Sequence, residues 1–431
     1  MSTLRCMKTA LLSLGLLLVL SPSARADEDL LPGASAFPKA ASIKGLQVEH
    51  VGDALALGVK HAALNFNLSQ LIDPDRLPGN PTIESGGRTY AFKRLYLEAI
   101  DTQVRELSKE GVLVYLIVLA CRSHRPEVNR IALHPGYDEK APNKIGAFNT
   151  GTEVGRGWLR ACFELMAERW SSADGSGGRV VGYVLGNEVN AHWWWCNMGR
   201  VSLDEFVREY ALAARIAHDA LRRHASWPRL YVSLEHHWTL RGGHGDDRQG
   251  FPGREFLLRF AEQVGKGGDF DWHVAYHPYP ENLFEPRFWN DKTALPGPDT
   301  PRITFRNLEV LPRFLNRPEL LFEGRPRRIV LSEQGFHTPD GPEGERVQAA
   351  AYCYAYKKVE SLPSIDAFIL HRHIDHPHEG GLWLGLRRRG SEPGKLGPKK
   401  PIYECFRLAD TPSQEAAFRF ALPVVGLERW P

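Results

Sequence analysis

Short apolar runs alternate with amphipathic stretches along most of the chain, and the two follow different periods. The apolar runs fall at Ile43–Val48, His61–Asn67, Val112–Leu119, Val180–Gly186, Leu230–Leu234, Trp272–Tyr276, Arg328–Leu331 and Ala367–Leu370. Val112–Leu119 is almost wholly apolar, as expected of a strand covered on both faces. Between the runs, apolar residues recur at helical spacing. Leu97, Ile100, Val104 and Leu107 form one such stripe before Gly111. Phe206, Tyr210, Ala213 and Ala217 form another, opened by the capping box Ser202-Leu203-Asp204-Glu205. Further helices are predicted near Asp53–Gly58, Val154–Trp170, Arg254–Gly265, Arg306–Leu315 and Glu345–Glu360.

Eight strands alternating with helices predict an α/β fold, a parallel sheet closed into a (β/α)8 TIM barrel. Loop lengths point the same way. Helix-to-strand connections are short, as at Gly111, Ser171–Gly178 and Gly265–Gly268. Strand-to-helix connections are long, notably Cys121–Gly151, His277–Thr304 and His371–Lys400. In such a barrel the long loops gather at the C-terminal ends of the strands, where active sites lie. No G-x-G-x-x-G follows the first strand, which sets aside an open doubly wound sheet. The first strand has the weakest pattern of the eight.

The N-terminus changes the reading of composition. Arg5 and Lys8, a Leu-rich run from Ala10 to Leu20, and Ser23-Ala24-Arg25-Ala26 read as a cleavable signal peptide over residues 1–26. The expected product is a secreted or periplasmic chain, 27–431, forming a single catalytic barrel domain. The apolar run is short for a membrane span, so no stable membrane association is expected. The whole chain carries 54 basic and 51 acidic side chains, and three of the basic ones lie in the leader. The mature chain is thus formally neutral, which excludes the broad basic footprint of a nucleic-acid binder. Five cysteines remain after Cys6 leaves. The barrel would bring Cys121 near Cys196, close enough for a disulfide, while Cys162 and Cys353 sit in apolar helical patterns as small hydrophobes.

Two glutamates end predicted strands among polar neighbours. Glu188 closes strand four in Val184-Leu185-Gly186-Asn187-Glu188, and Glu333 closes strand seven in Ile329-Val330-Leu331-Ser332-Glu333. At one rim of one barrel they can face each other, as glycoside hydrolysis requires of its two carboxyl groups. The pair Asn187-Glu188 with Glu333 resembles the clan A glycoside hydrolases, retaining enzymes on a (β/α)8 barrel. His277-Pro278-Tyr279 after strand six is similar to the His-x-Tyr of family 5 members. The resemblance implies Glu188 as general acid/base, Glu333 as nucleophile, Tyr279 in contact with the nucleophile and His277 near the acid/base. It also implies a β-linked carbohydrate substrate and no cofactor. Gly186-Asn187-Glu188-Val189-Asn190 together with Phe288-Trp289-Asn290-Asp291 is similar to an uncharacterised barrel family, the domain-of-unknown-function family 5722.

Other positions depart from the clan pattern. Asn67 at strand two and Arg122 after strand three stand where the family often has Arg and His-Asn. Strand eight ends in His371-Arg372 where a Trp is common, so Trp383 or the Trp193–Trp195 run, Trp194 included, would supply the sugar platform. His371, Arg372 and Arg122 would make the cleft somewhat cationic, which would fit an anionic sugar. Glu235, ending strand five, is a rival carboxylate without the Asn partner. A non-catalytic carbohydrate-binding barrel is the second reading. The third is a metallohydrolase using His236, His237, His371, His373, His376, His378 and Asp375, although the first two strands lack His-x-His.

Overall fold

The computed structural model describes residues 37–171, 177–242, 246–392 and 395–431. The expected signal peptide lies outside the described residues. Eight parallel strands form the centre: β1 (Lys44–Gln47), β2 (His61–Asn67), β3 (Leu113–Cys121), β4 (Val180–Leu185), β5 (Arg229–Glu235), β6 (Trp272–His277), β7 (Ile329–Leu331) and β8 (Ile365–Leu370). Each pairs with its neighbours in chain order, and β8 pairs with β1, so the sheet closes into a (β/α)8 TIM barrel. The main surrounding helices are α1 (Val51–Ala56), α2 (Arg94–Lys109), α3 (Glu153–Trp170), α4 (Leu203–Arg222), α5 (Gly253–Lys266), α6 (Val310–Leu315), α7 (Gly344–Glu360) and α8 (Pro401–Leu408).

Side-chain alternation along the strands separates two apolar cores. Ala63, Tyr115, Ile117, Val181, Tyr231, Ala275, Val330, Ala367 and Ile369 fill the barrel interior. The opposite faces pack on the helices, for example Phe66 edge-on to Trp170, and Trp272 edge-on to Phe260. The weak pattern of β1 has a specific cause. Lys44 is only 2% exposed, its ammonium 2.7 Å from Asp410 and hydrogen-bonded to the carbonyls of Arg407 and Ala409. A buried charge on a strand is tolerated where such partners replace water. Those partners lie at the far end of the chain.

Two antiparallel hairpins, Thr82–Ser85 with Arg88–Ala91 and Arg387–Arg389 with Leu396–Lys399, decorate the long loops. Neither follows from the eight-fold pattern. The loop after β8 is tied down by buried polar contacts: Asp375 pairs with Lys400 at 2.8 Å, and Asp53 receives Arg387, His373 and Tyr403. All five cysteines among the described residues are free thiols, Cys121 and Cys196 included, so the anticipated disulfide is not formed. Among the described residues no helix is long and apolar enough to cross a membrane.

Gly182 sets the packing of the barrel interior. A Cβ there would stand 2.4 Å from Tyr115 Cδ1 and 2.8 Å from Tyr231 Cε2, between two rings whose centroids are 6.0 Å apart. Both rings belong to the rigid interior, so neither can swing away. Gly182→Ala is expected to cost about 1–3 kcal/mol, in the range of core overpacking. A urea midpoint unchanged from wild type would contradict it.

Candidate active site

The ends of β4 to β8 deliver polar side chains into the barrel mouth. After β4 the chain turns at Gly186 (φ +77°) and reaches Glu188 in the left-handed region, φ 40° and ψ 52°. Such a conformation is uncommon outside glycine and costs free energy. Ser233 of β5 supports it by accepting the Glu188 backbone N–H at 2.9 Å. The turn carries the Glu188 carboxylate to His277, whose Nδ1 lies 2.9 Å from Oε1. His277 ends β6, and its Nε2 lies 2.9 Å from Ser332 Oγ. Glu333 follows Ser332 and accepts the Tyr279 hydroxyl at 3.3 Å. One carboxylate oxygen of Glu188, one of Glu333 and a ring nitrogen of His277 all lie within 4.8 Å of one another.

Electrostatics separate the carboxylates. Burial pushes the Glu188 carboxyl up, its side chain being 12% exposed, and the charges of Glu333 and Glu235 add to the shift against the opposing contact with His277. The Tyr279 phenol is also raised, first by burial and then by Glu333, so it remains a donor. Glu235 behaves differently. Burial raises it, but His237 at 2.5 Å overcomes that and holds it at about 2. Its Oε1 also accepts Asn190 Nδ2 at 2.6 Å. Glu235 is therefore a fixed negative charge beside the pair.

Ser332, His277 and Glu188 have the connectivity of a serine-hydrolase triad. Ser332 is 1% exposed, however, and no acyl carbon can reach its hydroxyl. Metal ligation meets a similar obstacle. Both nitrogens of His277 are engaged, as are both nitrogens of His237, by Glu235 and Arg302. His373 is spent on Asp53 and on backbone N–H groups, and Asp375 on Lys400. Glu235, His236 and His237, and likewise Glu188, His277 and Glu333, bring possible ligand atoms within 4.8 Å of one another. The rings of His237 and His277 are, however, already hydrogen-bonded at both nitrogens.

A cavity of about 380 Å3 opens beside Glu333, lined among others by Gln47, Glu49, Asn65, Asn187, Trp195, His371, Arg372 and Glu379. Several expected contacts belong elsewhere. Asn67 caps a short helix: its side-chain oxygen accepts from Ser69 and Cys121, and Asn65 faces the cavity instead. Arg122 turns to the surface and pairs with Glu139 at 2.6 Å. The cavity tryptophan is Trp195 rather than Trp194, and Trp383 is 39% exposed outside the cavity lining. His371 and Arg372 do line it. Arg372, though, is held between Glu49 and Glu379. With Glu49, Glu333 and Glu379 against that one guanidinium, the cleft is not cationic. Glu49 follows the weak first strand directly and is missed by sequence reasoning, and Glu379 lies well past β8 in a loop.

Residues 36–431 match the Family of unknown function (DUF5722). The chain belongs to the DUF5722 family. No curated protein matches it in sequence. The DUF5722 barrel is similar to a family 39 glycoside hydrolase from the gut symbiont Bacteroides cellulosilyticus WH2, with a TM-score of 0.53 at 15% identity. That match covers 84% of this chain and spans 60% of the other. It is similar to the hyperthermophilic β-glucosidase of Pyrococcus furiosus, with a TM-score of 0.52 at 14% identity over 87% and 86% of the two chains. The family 1 β-glucosidase of Thermotoga maritima gives 0.51 at 12% identity over 83% and 84%. At these identities the likeness is one of fold: the DUF5722 chain has a glycosidase-like barrel.

Asp291 anchors the loop that carries Tyr279. Its Oδ1 accepts the Glu281 N–H at 3.3 Å, while Oδ2 is buried and among the described residues has no partner. Burial, with the charge of Glu281, pushes this carboxyl up to about 7. The unfolded chain releases the proton near pH 4 and the folded chain only near 7. Stability should therefore fall as pH rises through that window, by up to about 1.4 kcal/mol per unit, and level off above it. Urea midpoints at pH 5 and pH 8 measure the slope. Asp291→Asn should flatten it, and an equal slope in the variant would assign the effect to other groups.

Proposed function

We propose that this DUF5722 chain is an exported O-glycoside hydrolase that works by double displacement on a β-linked carbohydrate. The observation that carries the proposal is the approach of Glu188 and Glu333, whose nearest oxygens lie within 4.8 Å. Retaining enzymes hold their carboxyl groups about 5–5.5 Å apart, and inverting enzymes leave about 6.5–9.5 Å for a water. The close spacing favours direct attack.

The roles follow from the surroundings. Glu188, with its raised pKa, protonates the leaving oxygen. Glu333, steadied by the Tyr279 hydroxyl, attacks the anomeric carbon to give a glycosyl-enzyme. Glu188 then takes a proton from water as the water displaces Glu333. Asn187 and Asn65 offer amide groups to sugar hydroxyls, and Trp195 offers an apolar face. Because Arg372 is neutralised on both sides, the sugar at this position is uncharged rather than anionic.

A screen of β-linked glycosides and polysaccharides should find a substrate. On it, Glu333→Ala should abolish turnover, and Glu188→Gln should lower kcat about 10²- to 10⁴-fold. The Glu188→Gln loss should shrink for activated aryl glycosides, whose leaving groups depart without a proton. Full turnover by either variant would sink the mechanism, and binding without cleavage by wild type would favour a carbohydrate-binding role. Tyr279→Phe removes one hydrogen bond to a charged group, so kcat should drop by roughly ten- to a hundredfold. An unchanged kcat would show that Glu333 does not depend on that hydroxyl.

A further inference from the structure

His277 commits both ring nitrogens inside the protein, to Glu188 Oε1 and to Ser332 Oγ, each at 2.9 Å. The imidazole and Ser332 are each 1% exposed. Among the described residues, Ser332 Oγ has no hydrogen-bond partner besides His277 Nε2. A buried hydroxyl hydrogen without an acceptor is costly, so Ser332 donates to Nε2. Nε2 then carries the lone pair and the ring hydrogen sits on Nδ1, directed at Glu188 Oε1.

We propose that Ser332 and His277 are positioning residues that decide which oxygen of Glu188 carries the transferable proton. Ser332 locks His277 as the Nδ1–H tautomer, that N–H occupies Oε1, and the acid proton is confined to Oε2. The role rests on the reading of Glu188 as acid/base. In the first half-reaction Oε2–H gives its proton to the leaving oxygen, and Nδ1–H stays on Oε1 to steady the carboxylate that forms. In the second half-reaction the proton from water returns to Oε2. His277 begins and ends each cycle unchanged.

The charged groups around the ring act against this lock. Burial disfavours an imidazolium, while the contact with Glu188 and the charges of Glu333 and Glu235 favour one, with a net upward shift. The Tyr279 phenol, raised by burial, stays neutral beside them. Ser332 resists protonation, because an imidazolium would make Nε2 a donor and strand the hydroxyl hydrogen.

The test is the tautomer of His277 in the full-length protein labelled with [15N]histidine, its signals identified by their loss in His277→Asn. At pH 7, Nδ1 should be protonated and Nε2 bare. Ser332→Ala should move the hydrogen to Nε2 or protonate the ring, and Ser332→Thr should restore the wild-type pattern. On a substrate, Ser332→Ala should lower kcat on the order of tenfold with KM unchanged. An Nε2–H tautomer in wild type overturns the proposal without any variant, as does a His277 spectrum indifferent to Ser332→Ala. The NMR readout needs no substrate. A correct tautomer combined with full turnover by Glu188→Gln would therefore refute the glycosidase mechanism and leave the tautomer lock standing.

Discussion

Two carboxyl groups within 4.8 Å of each other in a mostly buried barrel mouth cannot both ionise freely, and the rest of the site is arranged around that conflict. Each nearby group takes a side. Tyr279 gives its hydroxyl to Glu333 at 3.3 Å. Burial and the charges of Glu333 and Glu235 push the Glu188 carboxyl up, against the opposing contact with His277. Glu235 can hold its own charge only because His237 and Asn190 are spent on it. A third carboxylate is thus held down at about 2 beside a first whose carboxyl is pushed up.

The barrel makes such an arrangement affordable. Strand residues support the groups in the turns above them: the Ser233 hydroxyl of β5 accepts the backbone N–H at the left-handed turn of Glu188, and His277 is the last residue of β6. Beneath them, Tyr115 and Tyr231 meet over Gly182 and fill the interior. Water there would weaken every charge–charge effect invoked above.

What the sequence makes legible follows strand periodicity. His277 closes β6, and Glu188 and Glu333 follow the ends of β4 and β7 by three and two residues, so their side of the barrel could be read from pattern and loop length. Strand-end position alone did not suffice for Asn67, whose side chain caps the next helix. Arg122 and Trp383 lie in loops and Trp194 in the short helix His192–Trp195, where the strand pattern says nothing about direction. Glu49, Glu379 and Ser332 acquire meaning only from distant partners: Glu49 and Glu379 converge on Arg372, and Ser332 meets His277 55 residues away. Lys44 illustrates the same limit in the fold. Its charge breaks the apolar pattern of β1, and the residue that compensates it, Asp410, lies near the other terminus.

The histidines and arginines of the eighth strand invite a reading as metal ligands or anion receptors, and their hydrogen bonds argue for neither. His371 reaches across the barrel seam to Gln47, and Gln47 Nε2 donates to Asn65 at 3.1 Å, linking β8, β1 and β2 in one polar chain. Asn65 is the exposed end of that chain and keeps its amide N–H donors for the cavity. This wall presents hydrogen-bonding groups, while Trp195 lends the same cavity an apolar face. Sites built to hydrogen-bond a substrate discriminate strongly, because a mismatched ligand leaves buried polar groups unpaired. Substituting polar groups for an aromatic floor thus exchanges tolerance for selectivity. The same exchange leaves strand eight without an aromatic from which a ligand class could have been read in sequence.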